Sequence, residues 1–287
     1  MLACALENGY AVGYFESWNL ESLQGVIDAA EETRSPMLIG FNGEFLCRPQ
    51  RLAADRIPWY AALAKAAAES ASVPCGLIFN ECAYDERIRE AVDAGFGLVM
   101  PDDPDAAADE FVQRVAALTD YAHKRGVAVE AEVGQLPCGA SGRIEGESSG
   151  TDPAAAAEFV RRTHVDVLAV SVGNVHILVD GQRGLDLQVL AAIREQVKIP
   201  LDLHGGTGIS ADALKEAIGL GVGKVCYGTY VKQRYLAAVR RALGREATNP
   251  HELLGMGGEA DVLVAGRRAV REAVLERIEL LGCCGKG

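Results

Sequence analysis

Residues 200–229 read PLDLHGGTGISADALKEAIGLGVGKVCYGT. An apolar run ends at His204, a glycine-rich turn leads into an amphipathic stretch that begins near Ser210, and a second apolar run covers residues 224–227. Two short apolar runs joined by a helical pattern are typical of a β-α-β unit, whose two strands are parallel. This stretch therefore predicts an α/β fold built on a parallel sheet.

The same alternation extends along the whole chain. Apolar runs predict eight strands, at residues 11–16, 37–41, 76–80, 97–100, 127–133, 167–172, 200–204 and 224–227. Helical patterns fill the intervals, at residues 19–32, 57–70, 85–93, 105–125, 152–163, 186–197, 210–219 and 230–242, and most begin beside Ser, Asp or Asn. Consecutive units without a break in composition favour a single (β/α)₈ TIM barrel domain over residues 1–287. An open sheet would carry a glycine-rich turn after its first strand, where this chain has Glu16, Ser17 and Trp18.

Residues 249–287 form a C-terminal helical extension beyond the predicted barrel, with helical patterns at 251–256 and 259–281. The extension is amphipathic in places, so it has an apolar side to bury. The sequence leaves two positions open for it. It packs either on a neighbouring subunit or across the bottom of its own barrel.

The composition argues against several classes of protein. The 287 residues carry a net charge of −12, which disfavours nucleic acid as a partner. No apolar run reaches the ~20 residues that cross a bilayer, and no basic segment followed by an apolar one opens the chain. We therefore expect a cytoplasmic protein without a membrane partner. Its eight cysteines include no Cys-x-x-Cys pair and are expected to be free thiols.

Metal-ligating side chains stand at the ends of three predicted strands. Barrel enzymes place their chemistry at the carboxyl ends of the strands. Glu81 ends strand three, His176 follows strand six and His204 ends strand seven. Two imidazoles and a carboxylate are a common set of ligands for Zn²⁺, and they also suit Mn²⁺ or Fe²⁺. The sequence therefore predicts a divalent metal site, most readily for zinc. The three other histidines, at positions 123, 164 and 251, are expected on helices or at their ends.

Glycine-rich turns follow strands seven and eight. Gly205, Gly206, Thr207 and Gly208 precede a helix start, and Gly228-Thr229 follow strand eight. Glycines let backbone N–H groups face an anion, and these two loops form the usual phosphate site of a barrel. The alternative is that the glycines serve only tight connections. The loop at 134–151, rich in Gly and Ser, is either a mobile lid or a tolerated insertion.

Several segments together resemble the class II fructose-bisphosphate and tagatose-bisphosphate aldolases, which are metal-dependent ketose-bisphosphate aldolases. The resemblance covers nearly the whole chain and lies in residues 9–12 with Asn19-Leu20-Glu21, in 129–134 (VEAEVG), in 203–208 (LHGGTG), and in Lys224 with Thr229. It implies a barrel enzyme that forms homodimers or homotetramers. It also implies a metal that polarises a ketose carbonyl and stabilises an enediolate while a C–C bond is cleaved or formed.

The resemblance assigns roles to individual positions. His176 and His204 match two metal ligands, and Glu132 and Asp102 match acidic residues that hold the metal in an alternative position or orient its ligands. The glutamate that moves a proton at carbon is Glu145 or Glu147. The phosphate site of the family falls on Gly173, Gly205, Thr207, Gly208 and Thr229.

The chain also departs from the family. Where the family reads Asp-His after strand three, this chain has Asn80-Glu81, so Glu81 takes the place of a histidine ligand. Asn80 has no titratable proton and can only orient a substrate hydroxyl. Tyr227 replaces an asparagine that contacts phosphate, and Glu16 replaces an asparagine after strand one.

These changes, together with Asp180 where a lysine often stands, disfavour a bisphosphate substrate, unless Arg183 or Lys232 compensates. The prediction is a metal-dependent lyase of the aldolase type that acts on a small molecule, a sugar phosphate or a keto acid resembling a sugar acid. The alternatives are an isomerase, epimerase or hydrolase on the same scaffold, or a non-catalytic aldolase paralogue.

Overall fold

The protein folds as a closed barrel of eight parallel strands, as the sequence predicted. The structure is a computed structural model and describes residues 1–103, 106–146, 149–246 and 248–287. Each strand pairs with its neighbour in the chain, and the last pairs with the first. The strands are β1 (Val12–Phe15), β2 (Met37–Asn42), β3 (Cys75–Cys82), β4 (Leu98–Pro101), β5 (Ala128–Val133), β6 (Val167–Val170), β7 (Leu201–Leu203) and β8 (Val222–Tyr227).

Helices surround the barrel in the intervals that the periodicity predicted. They are α1 (Leu2–Asn8), α2 (Leu20–Thr33), α3 (Gly43–Leu46), α4 (Ile57–Ser70), α5 (Asp85–Ala94), α6 (Ala108–His123), α7 (Pro153–Thr163), α8 (Leu187–Gln196), α9 (Ala211–Gly219), α10 (Thr229–Leu243), α11 (Pro250–Leu253) and α12 (Val262–Ile278). The short helices α1 and α3 were not predicted. Residue 105, the predicted start of α6, lies outside the described residues.

The barrel strands are buried on both faces, which explains their continuous apolar runs. Close packing at β2 requires glycine: a Cβ at Gly40 would lie 1.8 Å from the carbonyl oxygen of Ile78 on β3. The exceptions to the apolar pattern are charged residues that point into the barrel. Glu130, Asp202 and Lys224 are all completely buried.

The C-terminal extension packs on its own barrel. Helix α12 lies against α2 and α10, and Arg267 on α12 forms a bidentate ion pair with Asp28 on α2 at 2.6 and 2.7 Å. Beyond α12, the backbone oxygen of Leu281 accepts a hydrogen bond from the N–H of Ala11, just before β1. The extension therefore covers mainly the side of the barrel, and its end reaches the bottom. None of the helices described is long and apolar enough to span a membrane.

Candidate metal centre and substrate cavities

The end of β3 is irregular, and this irregularity aims two consecutive side chains at one cavity. Successive residues of a regular strand point to opposite faces. Between Phe79 and Cys82 the pairing of β3 with β4 shifts register, and Glu81 has a φ of 49°. As a result Asn80 and Glu81 both line the same cavity at the barrel mouth. A left-handed conformation at a residue other than glycine is strained by about 1–3 kcal/mol and is often found at functional sites.

Three metal-ligating side chains converge at the mouth of the barrel. The Oε1 atom of Glu81 lies 2.7 Å from Nδ1 of His204 and 3.2 Å from Nε2 of His176. Glu81 and His204 are buried, and the His176 side chain is about one-third exposed. The predicted ligands, which are far apart in the chain, therefore lie within a few ångströms of one another.

The other nitrogen of His204 faces the charged interior of the barrel. Its Nε2 lies 3.0 Å from Oδ2 of Asp202 and 3.4 Å from Oε1 of Glu130. Lys224 donates to both carboxylates, with Nζ 2.7 Å from Glu130 and 3.1 Å from Asp202. The carboxylates can only accept hydrogen bonds. They therefore hold the proton of His204 on Nε2 and turn Nδ1 towards Glu81.

Burial and charge act in opposite directions on these groups. Burial lowers the pKa of His204, but Cys226 and the carboxylates of Glu81 and Asp202 raise it well above its usual range. Burial raises the pKa of Glu81, but His176 and His204 hold it well below that of an ordinary glutamate. Each group thus stabilises the charged form of the other.

The donor set fits a divalent cation. Nδ1 of His204 and Oε1 of Glu81 carry lone pairs that face each other, so a positive bridge, either a proton or a metal, must lie between them. In a tetrahedral zinc site, bonds of about 2.0–2.1 Å place neighbouring ligand atoms about 3.3 Å apart. The 3.2 Å between His176 and Glu81 agrees with this spacing, whereas the 2.7 Å between His204 and Glu81 is the length of a hydrogen bond.

Backbone contacts fix the loop that carries His176. Its N–H donates to the oxygen of Pro137 at 2.9 Å, and its own oxygen accepts from Gly139 at 2.8 Å. Asn174 bridges this loop to β7 by donating to the oxygen of His204 at 3.0 Å. Gly205 has a φ of 69°, and a Cβ there would lie 2.0 Å from the oxygen of Val175. The positions of the two histidines thus depend on the close approach of the backbone at Gly205 to that of Val175, which only glycine permits.

Asp102 and Glu132 lie in a neighbouring cavity of about 570 Å³ that also touches Glu81 and His176. The structure does not group them with the three converging ligand atoms. Burial raises the pKa of Asp102 to about 6 and that of Glu132 to about 7.

A smaller cavity of about 210 Å³ also touches Glu81 and His176 and lies against the glycine turns. Gly205, Thr207 and Thr229, which the resemblance assigns to a phosphate site, line this cavity. Gly173 and Gly208 are not among the residues that line it. A Cβ at Gly208 would meet Leu178 at 2.4 Å, and Gly173 has a φ of 97°, which favours glycine.

Two other predicted site residues have side-chain partners of their own. Tyr227 touches the smaller cavity, but its ring stacks on Phe15 with centroids 4.9 Å apart. Strand alternation places that ring on the face opposite Lys224 and Cys226, outside the barrel interior. The carboxylate of Glu145 accepts from the hydroxyl of Ser141 at 2.8 Å on the exposed loop. Glu147, the other loop glutamate, lies outside the described residues.

Several residues that support the candidate ligands were not predicted. Asn42, at the end of β2, donates to Oε2 of Glu81, and Asp202 supports His204 from behind. Tyr14 on β1 lines the smaller cavity and has a buried hydroxyl without a hydrogen-bond partner. Asp202 could have been identified from the sequence, because it is a charged residue inside an otherwise apolar strand.

A closed (β/α)₈ barrel with two histidines and a glutamate at its carboxyl-terminal mouth defines an enzyme scaffold with a candidate metal centre. The sequence model described as fructose-bisphosphate aldolase class-II matches residues 1–286. The chain therefore belongs to the class II fructose-bisphosphate aldolase family, whose members indicate an aldolase-type lyase activity.

Relatives match over almost the full chain. It is 33% identical to the protein YdjI of Escherichia coli K12 over 285 residues, covering 98% of this chain and 95% of YdjI. It is also 33% identical to a fructose-bisphosphate aldolase of Geobacillus stearothermophilus over 291 residues, covering 100% and 96%. The crystal structure of the YdjI aldolase superposes with a TM-score of 0.81 at 32% identity, covering 99% of this chain and 96% of that one.

Proposed function

We propose that the protein is a metal-dependent lyase of the aldolase type that uses Glu81, His176 and His204 to bind one divalent cation. The convergence of these three side chains on one point, within reach of two cavities, carries the proposal. Zinc suits the set best, with manganese and iron as alternatives. A bound cation supplies Lewis acidity towards a carbonyl oxygen of the substrate.

The arrangement of the cavities suggests how a substrate lies. Both cavities share Glu81 and His176. A substrate whose carbonyl lies at that point extends one part of its chain into each cavity, so that the bond to be cleaved lies near the ligands. Such a substrate is a small hydroxylated carbonyl compound of the ketose-phosphate or sugar-acid class.

Two side chains are suited to act on that substrate. The Oδ1 atom of Asn80 is buried and has no hydrogen-bond partner, so it can accept a hydrogen bond from a substrate hydroxyl. Glu132 is suited to move a proton, because burial raises its pKa to about 7 and a general base works best near the working pH. The other candidate, Glu145, lies exposed on the loop, and its carboxylate accepts from the hydroxyl of Ser141. The homodimer or homotetramer and the cytoplasmic location stay predictions.

A cleavage assay tests this function. The purified protein, supplied with Zn²⁺, Mn²⁺ or Fe²⁺, is incubated with a panel of ketose 1-phosphates and hydroxylated keto acids, and the released aldehyde is measured. We expect cleavage that a chelator abolishes and added metal restores. We expect His204→Ala to lose it, and His251→Ala, an exposed histidine, to keep it. Cleavage that survives both the chelator and His204→Ala would contradict the proposal.

The side chain at position 80 favours a second candidate, an isomerase or epimerase on the same metal site. Asn80 cannot donate or remove a proton at a hydroxyl, whereas moving a proton at carbon requires only the metal and a base such as Glu132. Incubation of the protein and substrate in deuterated water distinguishes the two functions. The isomerase incorporates deuterium into the substrate without releasing an aldehyde.

A further inference from the structure

A buried carboxylate occupies the glycine-lined cavity where an anion would be expected. Glu16 follows β1 and is 7% exposed. A Cβ at Gly228 would lie 2.4 Å from its Oε2, which places this oxygen beside the residue that precedes α10. A helix N-terminus favours an anion. At this terminus the protein supplies the anion itself.

The charge of Glu16 is balanced within the protein. Nζ of Lys232, in the first turns of α10, lies 2.5 Å from Oε1 of Glu16. Among the described residues that line this cavity, Lys232 is the only lysine or arginine. The hydroxyl oxygen of Thr207 already accepts a hydrogen bond from the N–H of Tyr230. An incoming phosphate would therefore meet a carboxylate, and the lysine that could bind it is already paired.

Three residues that line the cavity have a buried polar atom without a hydrogen-bond partner, and two of them, Asn80 and Tyr14, point towards the barrel interior, unlike Tyr227. The Oδ1 atom of Asn80 and the hydroxyl of Tyr14 belong to side chains that are 2% exposed, and neither has a hydrogen-bond partner. Buried polar atoms are nearly always paired, so these two atoms point to a ligand. Asn80 Oδ1 and the carboxylate of Glu16 can only accept hydrogen bonds. A ligand group that pairs with these two acceptors must donate, as a hydroxyl does and a phosphate dianion does not, and the hydroxyl of Tyr14 can either donate to it or accept from it.

We propose that the smaller cavity binds an unphosphorylated, hydroxyl-bearing end of the substrate and that Glu16 determines this specificity. This inference rests on the proposed function, because it assigns the substrate end that lies beside the metal ligands. It favours the sugar-acid class over a ketose that carries a phosphate at this end. The carboxylate of Glu16, held by Lys232, then offers an acceptor to the terminal hydroxyl.

A matched pair of probes tests the proposal. Dihydroxyacetone and dihydroxyacetone phosphate differ only in the phosphate, and their dissociation constants are measured by calorimetry on the zinc-supplied protein. We expect the wild type to bind the free compound more tightly. Glu16→Gln removes the charge and frees Lys232, so we expect it to shift the preference towards the phosphate by about tenfold or more. Glu69→Gln removes an exposed glutamate that pairs with Lys65 at 3.9 Å and should leave the preference unchanged.

Three results would overturn the proposal: tighter binding of the phosphate by the wild type, an unchanged preference in Glu16→Gln, or binding of neither compound. Circular dichroism confirms that each variant is folded, and if Glu16→Gln is not, the wild-type preference decides alone. This experiment measures binding and not cleavage, so its result is independent of the lyase assay. An active lyase that prefers the phosphate would refute only the hydroxyl site, and an inactive protein that prefers the free compound would refute only the lyase.

Discussion

The Nε2 atom of His204 lies 3.0 Å from Oδ2 of Asp202, on the side of the imidazole away from Glu81. Burial raises the pKa of Asp202, but the charges of Lys224 and His204 lower it overall, so this carboxylate stays ionised. An ionised partner fixes the tautomer and orientation of a metal-binding histidine. Asp202 therefore orients His204, a proposed metal ligand, from the side away from Glu81.

This relationship predicts the effect of Asp202→Asn. The substitution keeps the size of the side chain but removes the charge that orients His204. We expect metal affinity to fall by about 10- to 100-fold, measured by competition with a chromophoric chelator. Asp212→Asn, at an exposed position on α9, is the control and should keep the affinity. An Asp202→Asn protein that binds metal as tightly as the wild type would refute the role of Asp202.

Lys224 is predicted to be essential for stability. It is completely buried and neutralises both Glu130 and Asp202. Removing one partner of a buried ionic network leaves uncompensated charge, so Lys224→Met should lower the free energy of unfolding by about 3–5 kcal/mol. Denaturation by urea measures this loss. The exposed Lys215→Met should change it little, and adding Glu130→Gln to Lys224→Met should recover part of the loss. No recovery would contradict the network.

Gly205 is predicted to couple stability to the metal site. An alanine there would be strained by its positive φ and would collide with the oxygen of Val175, next to His176. We expect Gly205→Ala to lower the free energy of unfolding by at least about 1–3 kcal/mol and also to weaken metal binding. Gly258→Ala, where a Cβ would meet nothing within 4 Å, serves as the control in both measurements. If the Gly205→Ala protein binds metal as tightly as the wild type, the positions of the two histidines do not depend on the contact between Gly205 and Val175.

Asp261, at the start of α12, makes the free energy of unfolding depend on pH. Its carboxylate accepts from the backbone N–H groups of Gly257, Gly255 and Leu263 at 2.8, 2.8 and 2.9 Å, and these bonds lower its pKa. The folded state therefore binds this proton less readily than the unfolded state. The stabilisation that the ionised Asp261 carboxylate provides is present above the pKa of aspartate in the unfolded chain, about 3.9. It is lost as the pH falls towards the lower pKa of Asp261 in the folded protein.

Asp261→Ala should accordingly lower the free energy of unfolding by about 0.5–2 kcal/mol at neutral pH. The difference between wild type and variant should shrink as the pH falls below about 4. Urea denaturation across this range measures it. A difference that stays constant with pH would show that the cap does not depend on the charge.

The barrel could be predicted because every strand is a short apolar run and most helices begin at a capping residue. Helix α4 was predicted with the bounds that the structure has, Ile57–Ser70. Helix α3 was not predicted, because its four residues are too short for periodicity. Its start depends on Asn42, whose side chain accepts from the N–H of Phe45 at 3.0 Å.

The site residues could be predicted where their place at the end of a strand puts them at the mouth of the barrel. Glu81 and His204 stand at strand ends, and the rule for barrels brings strand ends together. The prediction for Tyr227 counted only its place near the end of β8 and did not apply strand alternation, which places its ring on the face opposite Lys224 and Cys226. The pairing of Glu16 with Lys232 joins residues that are distant in the chain, and no local pattern indicates it.

Elemental analysis of the purified protein, after dialysis against zinc, tests the central claim most directly. We predict about one equivalent of cation per chain in the wild type and in His251→Ala, and a large loss in both Glu81→Ala and His204→Ala. A wild-type protein that holds no cation, or variants that both keep a full equivalent, would contradict the claim that these side chains form a metal site.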